Sequence, residues 1–337
     1  MQQLPRVGII GAGAWGTALA WLLGTKGVAV TLWAYEPEVA EAVASRHVNE
    51  LFLPGVQLPP SIRATTSLKE AAAAEVLLVV TPSHVLRSVM MQLKPTLAAN
   101  VPIIVATKGI EEDTLLLSSQ VIEAVLGSAV RRRLTVLSGP SFAAEVCHGD
   151  PTAVVLAGED ADLVKRHQDL FFAPRFRVYA GDDVIGVQLG GALKNVVALA
   201  AGVVDGLGLG ANTRAALITR GLAEMIRLGS AMGASPQTFF GLSGVGDLVL
   251  TATGTQSRNH SVGVRLGRGE SLDAVLKESR TVAEGVRTAA AACGLARKHG
   301  IEMPITQAMA AVLFEGLAPR EAVRLLMERS AKDETKR

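Results

Sequence analysis

Six residues, Gly11-Ala-Gly13-Ala-Trp15-Gly16, constrain this chain more than any other stretch, because of what flanks them. A short β-branched run at residues 7–10 leads into them, and an apolar helical segment from Thr17 leaves them. A second apolar strand over 28–33 follows at the distance a βαβ unit needs. In that setting Gly11 permits the tight strand-to-helix turn, Gly13 lets backbone approach a pyrophosphate, and Gly16 lets helix and strand pack closely. The helix N-terminus adds unpaired N–H groups and the positive end of a dipole. The spacing therefore predicts a dinucleotide site.

A secretory leader competes for the same residues, since nothing between Arg6 and Lys26 is charged and Ala18-Leu19-Ala20 imitates a small-residue cleavage site. Three glycines interrupt the apolar run, and cleavage would remove the motif that explains their spacing. No other stretch reads as an uninterrupted apolar span of membrane length, so no transmembrane segment is expected.

The 337 residues suit two domains, and 49% are apolar but only 4% aromatic, so Ala, Val, Leu and Gly carry the packing. A formal net charge of +2 argues against a nucleic-acid protein driven by a broad basic surface. The densest basic run, Arg131-Arg132-Arg133, reads as a solvated helix end. Cys147 and Cys293 are isolated, and the histidines lack metal-ligand spacing, so neither a disulfide framework nor a metal site is expected. That usage suits a cytoplasmic protein.

Strands are expected at residues 7–10, 28–33, 76–81, 102–106, 134–138, 153–157 and 176–179, with helices between most of them, for example 83–94 and 115–126. This alternation implies an α/β, Rossmann-like, doubly wound and mainly parallel sheet. From about Asp183 the pattern turns helical, over 184–204, 213–232, 257–266, 271–279, 282–299, 304–314 and 319–332. The domains are therefore read as 1–183, dinucleotide-binding, and 184–332, an all-α substrate and catalytic domain. The charged tail 333–337 is expected to fray.

In a Rossmann half the ligand lies beyond the carboxyl ends of the strands. Lys108 follows one such end, and Gly139-Pro140-Ser141 another, although either fits ordinary loop chemistry. The helical half is sharper. In the segment Gly186–Val197, Gln188, Gly191, Lys194 and Asn195 recur along one helical stripe among apolar residues. Two mid-helix glycines imply close approach by backbone or ligand. A lysine flanked by Leu193, Val196 and Val197 is poorly solvated, which lowers its pKa and suits a general acid/base. The competing reading is a lysine that snorkels to solvent. Gly244-Val-Gly246-Asp247-Leu248 sets a carboxylate beside flexible backbone, and Ser257-Arg258-Asn259 begins a helix with a cap residue and a guanidinium, a combination that clamps phosphate.

Taken in order, these segments resemble bacterial NAD(P)-dependent glycerol-3-phosphate dehydrogenases over essentially the whole chain. The matching motifs are the glycine-rich turn with Thr17-Ala-Leu-Ala20, Phe52-Leu-Pro-Gly55, Ala106-Thr-Lys-Gly109, Ser138-Gly-Pro-Ser-Phe142, Gly190-Gly-Ala-Leu-Lys-Asn195, Gly246-Asp-Leu248, Gln256-Ser-Arg-Asn259 and Val282-Ala-Glu-Gly285. The resemblance implies reversible hydride transfer between NAD(P)H and dihydroxyacetone phosphate, giving sn-glycerol 3-phosphate for glycerophospholipid synthesis. It implies Lys194 as the proton donor and acceptor. Substrate contacts would come from Lys108, Gly139, Ser141, Lys194, Asp247, Ser257, Arg258 and Asn259. Dinucleotide contacts would come from Gly11, Gly13, Ala14, Trp15, Gly16, Tyr35, Lys108, Ala143, Arg258, Val282 and Glu284. Asn195 and Thr251 would support Lys194 and Asp247. A homodimer is also implied.

One departure bears on the coenzyme. Relatives that favour NADP often place a basic residue at the position of Tyr35, whereas this chain reads Tyr35-Glu36. An acidic strand end suits the ribose 2′-hydroxyl of NAD and repels a 2′-phosphate, unless Lys26 or Arg46 reaches that phosphate. NADH is expected to serve at least as well as NADPH. Two other readings stay open, a hydroxy- or keto-acid reductase of the same architecture and a dinucleotide sensor without turnover.

Overall fold

The computed structural model describes residues 4–278 and 283–330. Ten strands occur in it: β1 (Val7–Ile10), β2 (Val30–Trp33), β3 (Val48–Asn49), β4 (Leu53–Gln57), β5 (Ile62–Thr65), β6 (Val76–Val79), β7 (Ile103–Val105), β8 (Leu134–Ser138), β9 (Thr152–Gly158) and β10 (Phe176–Gly181). Eight form one sheet in the order β10-β9-β8-β7-β6-β1-β2-β5, and β3 and β4 make a separate antiparallel pair. From β5 to β8 all neighbours are parallel. This is the doubly wound order whose direction of winding reverses between β1 and β6, where such sheets bind ligands.

Side chains alternate across the sheet as the pleat requires. Ile9, Leu78 and Ile104 join one buried cluster with Leu19 and Leu23, while Ile10, Leu77 and Ile103 join another with Leu86 and Val121. Strands buried on both faces read as continuous apolar runs, which is why β1, β6 and β8 are plain in the sequence.

Several features depart from the sequence reading, the short pair β3 and β4 among them. Strand β5 was not expected: it sits at the sheet edge, and only Ile62 of its four residues is buried. β9 runs antiparallel to β8, and β10 follows β9, so two strands oppose the rest. Asp247 lies on no flexible loop, because a tight π-type turn over Leu242–Gly246 leads directly into the helix Asp247–Thr253 that it begins.

After Gly181 every described element is helical. The helix Val184–Gly206 is long and apolar enough to cross a membrane, a span the sequence reading passed over, yet 89% of its most apolar window is buried inside the protein. It is the core of the helical domain, apolar on most of its circumference apart from the stripe of Gln188, Lys194 and Asn195. Leu193 and Val197 face one cluster, Val196, Leu199 and Val203 another. The helix Arg258–Gly267 lies against it backbone to backbone: a Cβ on Gly202 would stand 2.1 Å from the His260 carbonyl oxygen, and one on Gly263 2.1 Å from that of Leu199. Val282 and the tail 333–337 lie outside the described residues.

Candidate functional site

At the switch between β1 and β6, Gly11 takes φ +119°, and a Cβ there would press to 2.8 Å from the Val80 carbonyl. A Cβ on Gly16 would come within 1.9 Å of the Gly11 carbonyl, so helix Ala14–Thr25 packs hard on its own turn. A Cβ on Gly13 would meet nothing within 4 Å. Gly13 is the N-cap, and no side chain caps this helix start. Trp15 buries an indole N–H with no partner among the described residues. An open approach over Gly13, an uncapped helix start and a spare donor fit the pyrophosphate end of a dinucleotide. Tyr35, 77% exposed, stands edge-on to Trp33 just past β2, and Glu36 holds the N-cap position of the helix Pro37–Arg46 without a side-chain cap hydrogen bond. Ala143 opens the helix Ala143–His148 beyond β8.

The lysine stripe converges where the carboxyl ends of β7 and β8 meet the helical domain. Lys194 is 7% exposed, and its Nζ donates to Asp247 Oδ1 and, at 2.7 Å, to Thr251 Oγ1. Lys108 Nζ donates to the other carboxylate oxygen, Oδ2, at 2.6 Å and to the Gly139 carbonyl at 3.2 Å. Ser141 Oγ donates to the same carbonyl at 3.0 Å. Asp247, only 1% exposed, thus bridges two ammonium groups. Burial lowers the Lys194 pKa, Lys108 pushes it the same way, and Asp247 only partly opposes them, leaving it at about 7. The snorkelling alternative does not hold for this side chain.

Both glycines before Lys194 serve close approach by protein. A Cβ on Gly190 would meet the Ser243 carbonyl at 2.3 Å, and one on Gly191 would meet Ser138 Oγ at 2.7 Å. The first lets the turn preceding Asp247 sit on the helix; the second admits β8 and the Lys108 side chain. Gln188 of the same stripe is turned elsewhere, its amide pairing with the N–H and hydroxyl of Ser119.

The third group is the start of helix Arg258–Gly267. Ser257, 3% exposed, accepts from the His260 N–H at 3.2 Å, as an N-cap does. Arg258 projects to solvent from the first helical position, with Glu284 as its acidic neighbour. Glu284 in turn accepts from Ser83 N–H at 3.1 Å and Ser83 Oγ at 2.6 Å, and burial raises its pKa. Asn195 touches neither Lys194 nor Asp247 through its side chain; it reaches Asn259 instead. Ser83 was missed in the sequence, although it follows β6 in the position that drew attention to Lys108 beyond β7.

Two family models cover nearly all of the chain. Residues 6–164 match the NAD-dependent glycerol-3-phosphate dehydrogenase N-terminus, and residues 183–324 match the C-terminus of the same family. The chain belongs to that family. It is 57% identical over 330 residues to the glycerol-3-phosphate dehydrogenase [NAD(P)+] of Geobacter metallireducens, covering 98% of both chains. The corresponding Geobacter sulfurreducens protein gives the same identity and coverage. Among solved structures, the glycerol-3-phosphate dehydrogenase of Coxiella burnetii superposes with a TM-score of 0.92 at 41% identity, covering 97% of this chain and 99% of that one. Within the family frame, the glycine-rich turn, Lys108 and Ser141 fall in the N-terminal match, and Lys194, Asp247, Arg258 and Glu284 in the C-terminal one. The cluster around Asp247 is assembled from both.

Proposed function

We propose that this chain reduces dihydroxyacetone phosphate reversibly to sn-glycerol 3-phosphate with NAD(P)H, using Lys194 as the proton donor and acceptor. The observation that carries the reading is the buried Lys194–Asp247–Lys108 cluster at the carboxyl ends of the strands. Residues 1–183 would bind the dinucleotide and 184–332 the substrate.

The dinucleotide would lie over Gly11, Gly13, Ala14, Trp15 and Gly16, with Tyr35, Lys108, Ala143, Arg258 and Glu284 around it; when bound it supplies the hydride. The chain's own residues manage charge and protons. An ammonium has three N–H groups, and Asp247 and Thr251 accept two of those on Lys194. The third is the one available to a substrate oxygen. In the neutral amine a lone pair replaces it, so the same position takes the proton back in the reverse direction. Lys108, held by Asp247 and Gly139, adds positive potential where oxygen gains negative charge. Arg258 and the first amides of its helix, Asn259 included, would clamp the phosphate, with Ser257 shaping the turn and Gly139 and Ser141 closing the opposite wall.

Lys26 supplies no counter-charge for a 2′-phosphate, because its Nζ donates to the carbonyls of Asp169, Leu170 and Phe172. Arg46 ends the ten-residue helix that follows Glu36, roughly 14 Å away along its axis. Both placements support NADH serving at least as well as NADPH. The same reading makes this a cytoplasmic enzyme of glycerophospholipid synthesis and a homodimer. Its free thiols Cys147 and Cys293 suit a reducing compartment, and light scattering tests the dimer.

Absorbance at 340 nm, followed with dihydroxyacetone phosphate and each coenzyme, tests the reaction. Phosphate-dependent oxidation is expected. Equal rates with phosphate-free dihydroxyacetone would overturn the clamp, and no oxidation despite dinucleotide binding would favour a sensor.

A further inference from the structure

We propose that Asn259 is a positioning residue, the middle of a buried amide relay that sets the proton donor, the phosphate clamp and Glu284 in mutual register. The relay rests on the reading given under Proposed function. Its members are buried: Asn195 is 5% and Asn259 8% exposed. Asn259 Oδ1 accepts from the Gly285 N–H at 2.9 Å, Asn259 Nδ2 donates to Asn195 Oδ1 at 2.9 Å, and Asn195 Nδ2 donates to the Gly191 carbonyl at 3.4 Å.

The direction of this relay is fixed by chemistry. A backbone N–H at Gly285 can only donate, and a carbonyl at Gly191 can only accept. With a donor at one end and an acceptor at the other, each amide has one orientation that satisfies its neighbours. Flipping either places two oxygens or two N–H groups face to face in a buried space. Nor is there slack around the ends: a Cβ on Gly285 would stand 2.5 Å from the Asn195 carbonyl.

Each relay residue on a helix is the chain neighbour of a proposed working group. Asn195 follows Lys194, Asn259 follows Arg258, and Gly285 follows Glu284. Three helices, Val184–Gly206, Arg258–Gly267 and Glu284–Lys298, are therefore tied together one residue from the groups they present. The side chain that a substrate-contact role would assign to the phosphate is turned inward, leaving the main-chain amide of Asn259 for that task.

A positioning role and a plain phosphate contact give different kinetics. Asn195→Ala, Asn259→Ala and the double variant would be compared for kcat, KM for dihydroxyacetone phosphate and Kd for NADH, with Lys194→Ala and Arg258→Ala as controls. We expect each asparagine variant to lower kcat and raise KM by about tenfold, and the double variant to be little worse than either, because both break one network. Asn259→Ala should also weaken NADH, through Gly285, whereas Asn195→Ala should not. Multiplicative losses in the double variant, or an Asn259→Ala effect confined to KM, would overturn the relay. If Asn259→Ala fails to fold, Asn259→Asp replaces it: it keeps the acceptor for Gly285 but faces Asn195 Oδ1 with a second acceptor, so it should reproduce the kcat loss, and wild-type kcat there would overturn the relay too. Loss of activity in the two controls with independent asparagine effects removes the relay alone; wild-type activity in the controls removes the reading beneath it.

Discussion

The ammonium of Lys194 lies 2.7 Å from the hydroxyl of Thr251, and that hydroxyl donates to the carbonyl of Asp247 at 2.6 Å. Because its proton is engaged by the carbonyl, Thr251 must accept from the lysine, which fixes where one N–H of Lys194 points. Lys194→Ala should lower kcat by about 10²–10⁴-fold with NADH affinity nearly unchanged. Thr251→Val should lower kcat by about tenfold, and Thr251→Ser should restore most of it. Steady-state rates with a separate NADH titration check both, and a Lys194→Ala enzyme retaining most of its kcat would sink the assignment.

The lowered pKa of Lys194 gives the two directions opposite pH profiles. Ketone reduction needs the ammonium, so its kcat/KM should fall as pH rises through about 7; alcohol oxidation needs the amine and should fall as pH drops through the same value. The stability effect has a definite sign. Between about 7 and the ordinary 10.5 the unfolded chain holds a proton that the folded one lacks, so this group makes stability rise with pH over that window. Lys194→Met should flatten that rise, as chemical denaturation at several pH values would show.

Arg258→Ala should raise KM for dihydroxyacetone phosphate by about 10–100-fold, the worth of a charge-assisted pair. Some loss of NADH affinity should accompany it, while activity on phosphate-free dihydroxyacetone at saturating NADH should barely change. Arg258→Lys should recover only part of the loss, since an ammonium lacks the planar fork. A similar KM increase for both substrates would place Arg258 elsewhere in the reaction.

With Tyr35 and Glu36 at the end of β2, kcat/KM for NADPH should not exceed that for NADH by more than about tenfold. Tyr35→Arg should move the ratio towards NADPH by about tenfold or more. Parallel assays with the two coenzymes decide it.

Gly202→Ala should cost about 1–3 kcal/mol of stability, even though alanine favours helix, because its Cβ would press on the His260 carbonyl. Displacing helix Arg258–Gly267 should also raise KM for the phosphorylated substrate. Thermal melting and a KM measurement test the two effects separately.

Much of this was legible in the sequence for identifiable reasons. Gly11 and Gly16 occupy the tight turn and the close contact that their spacing implies, and a Cβ on Gly13 would meet nothing within 4 Å. Lys194 could be read as buried because its neighbours along the helix are apolar. What the sequence left out depends on partners distant along the chain. Asp247 is separated from Lys108 by 139 positions, and nothing local shows that one carboxylate serves two lysines. Strand β5 escaped because an edge strand with one buried residue carries no clear alternation. The reversed direction of β9 leaves no trace in composition, since parallel and antiparallel strands buried on both faces read alike.

That reversal fixes where the lysine arrives. Strands β9 and β10 run parallel to each other and against the rest of the sheet, so the chain leaves the sheet at Gly181, below the edge at which β8 ends in Ser138. The helix from Val184 must climb the sheet before Gly191 can meet Ser138 and Lys194 can reach Asp247. Ten residues of helix rise about 15 Å, comparable to the length of a short strand. This stretch works as a ruler whose unit is the residue. Inserting one amino acid between Val184 and Gly190 would turn Lys194 by about 100° and lift it by about 1.5 Å, whereas exchanging one apolar residue there for another leaves the measured height unchanged.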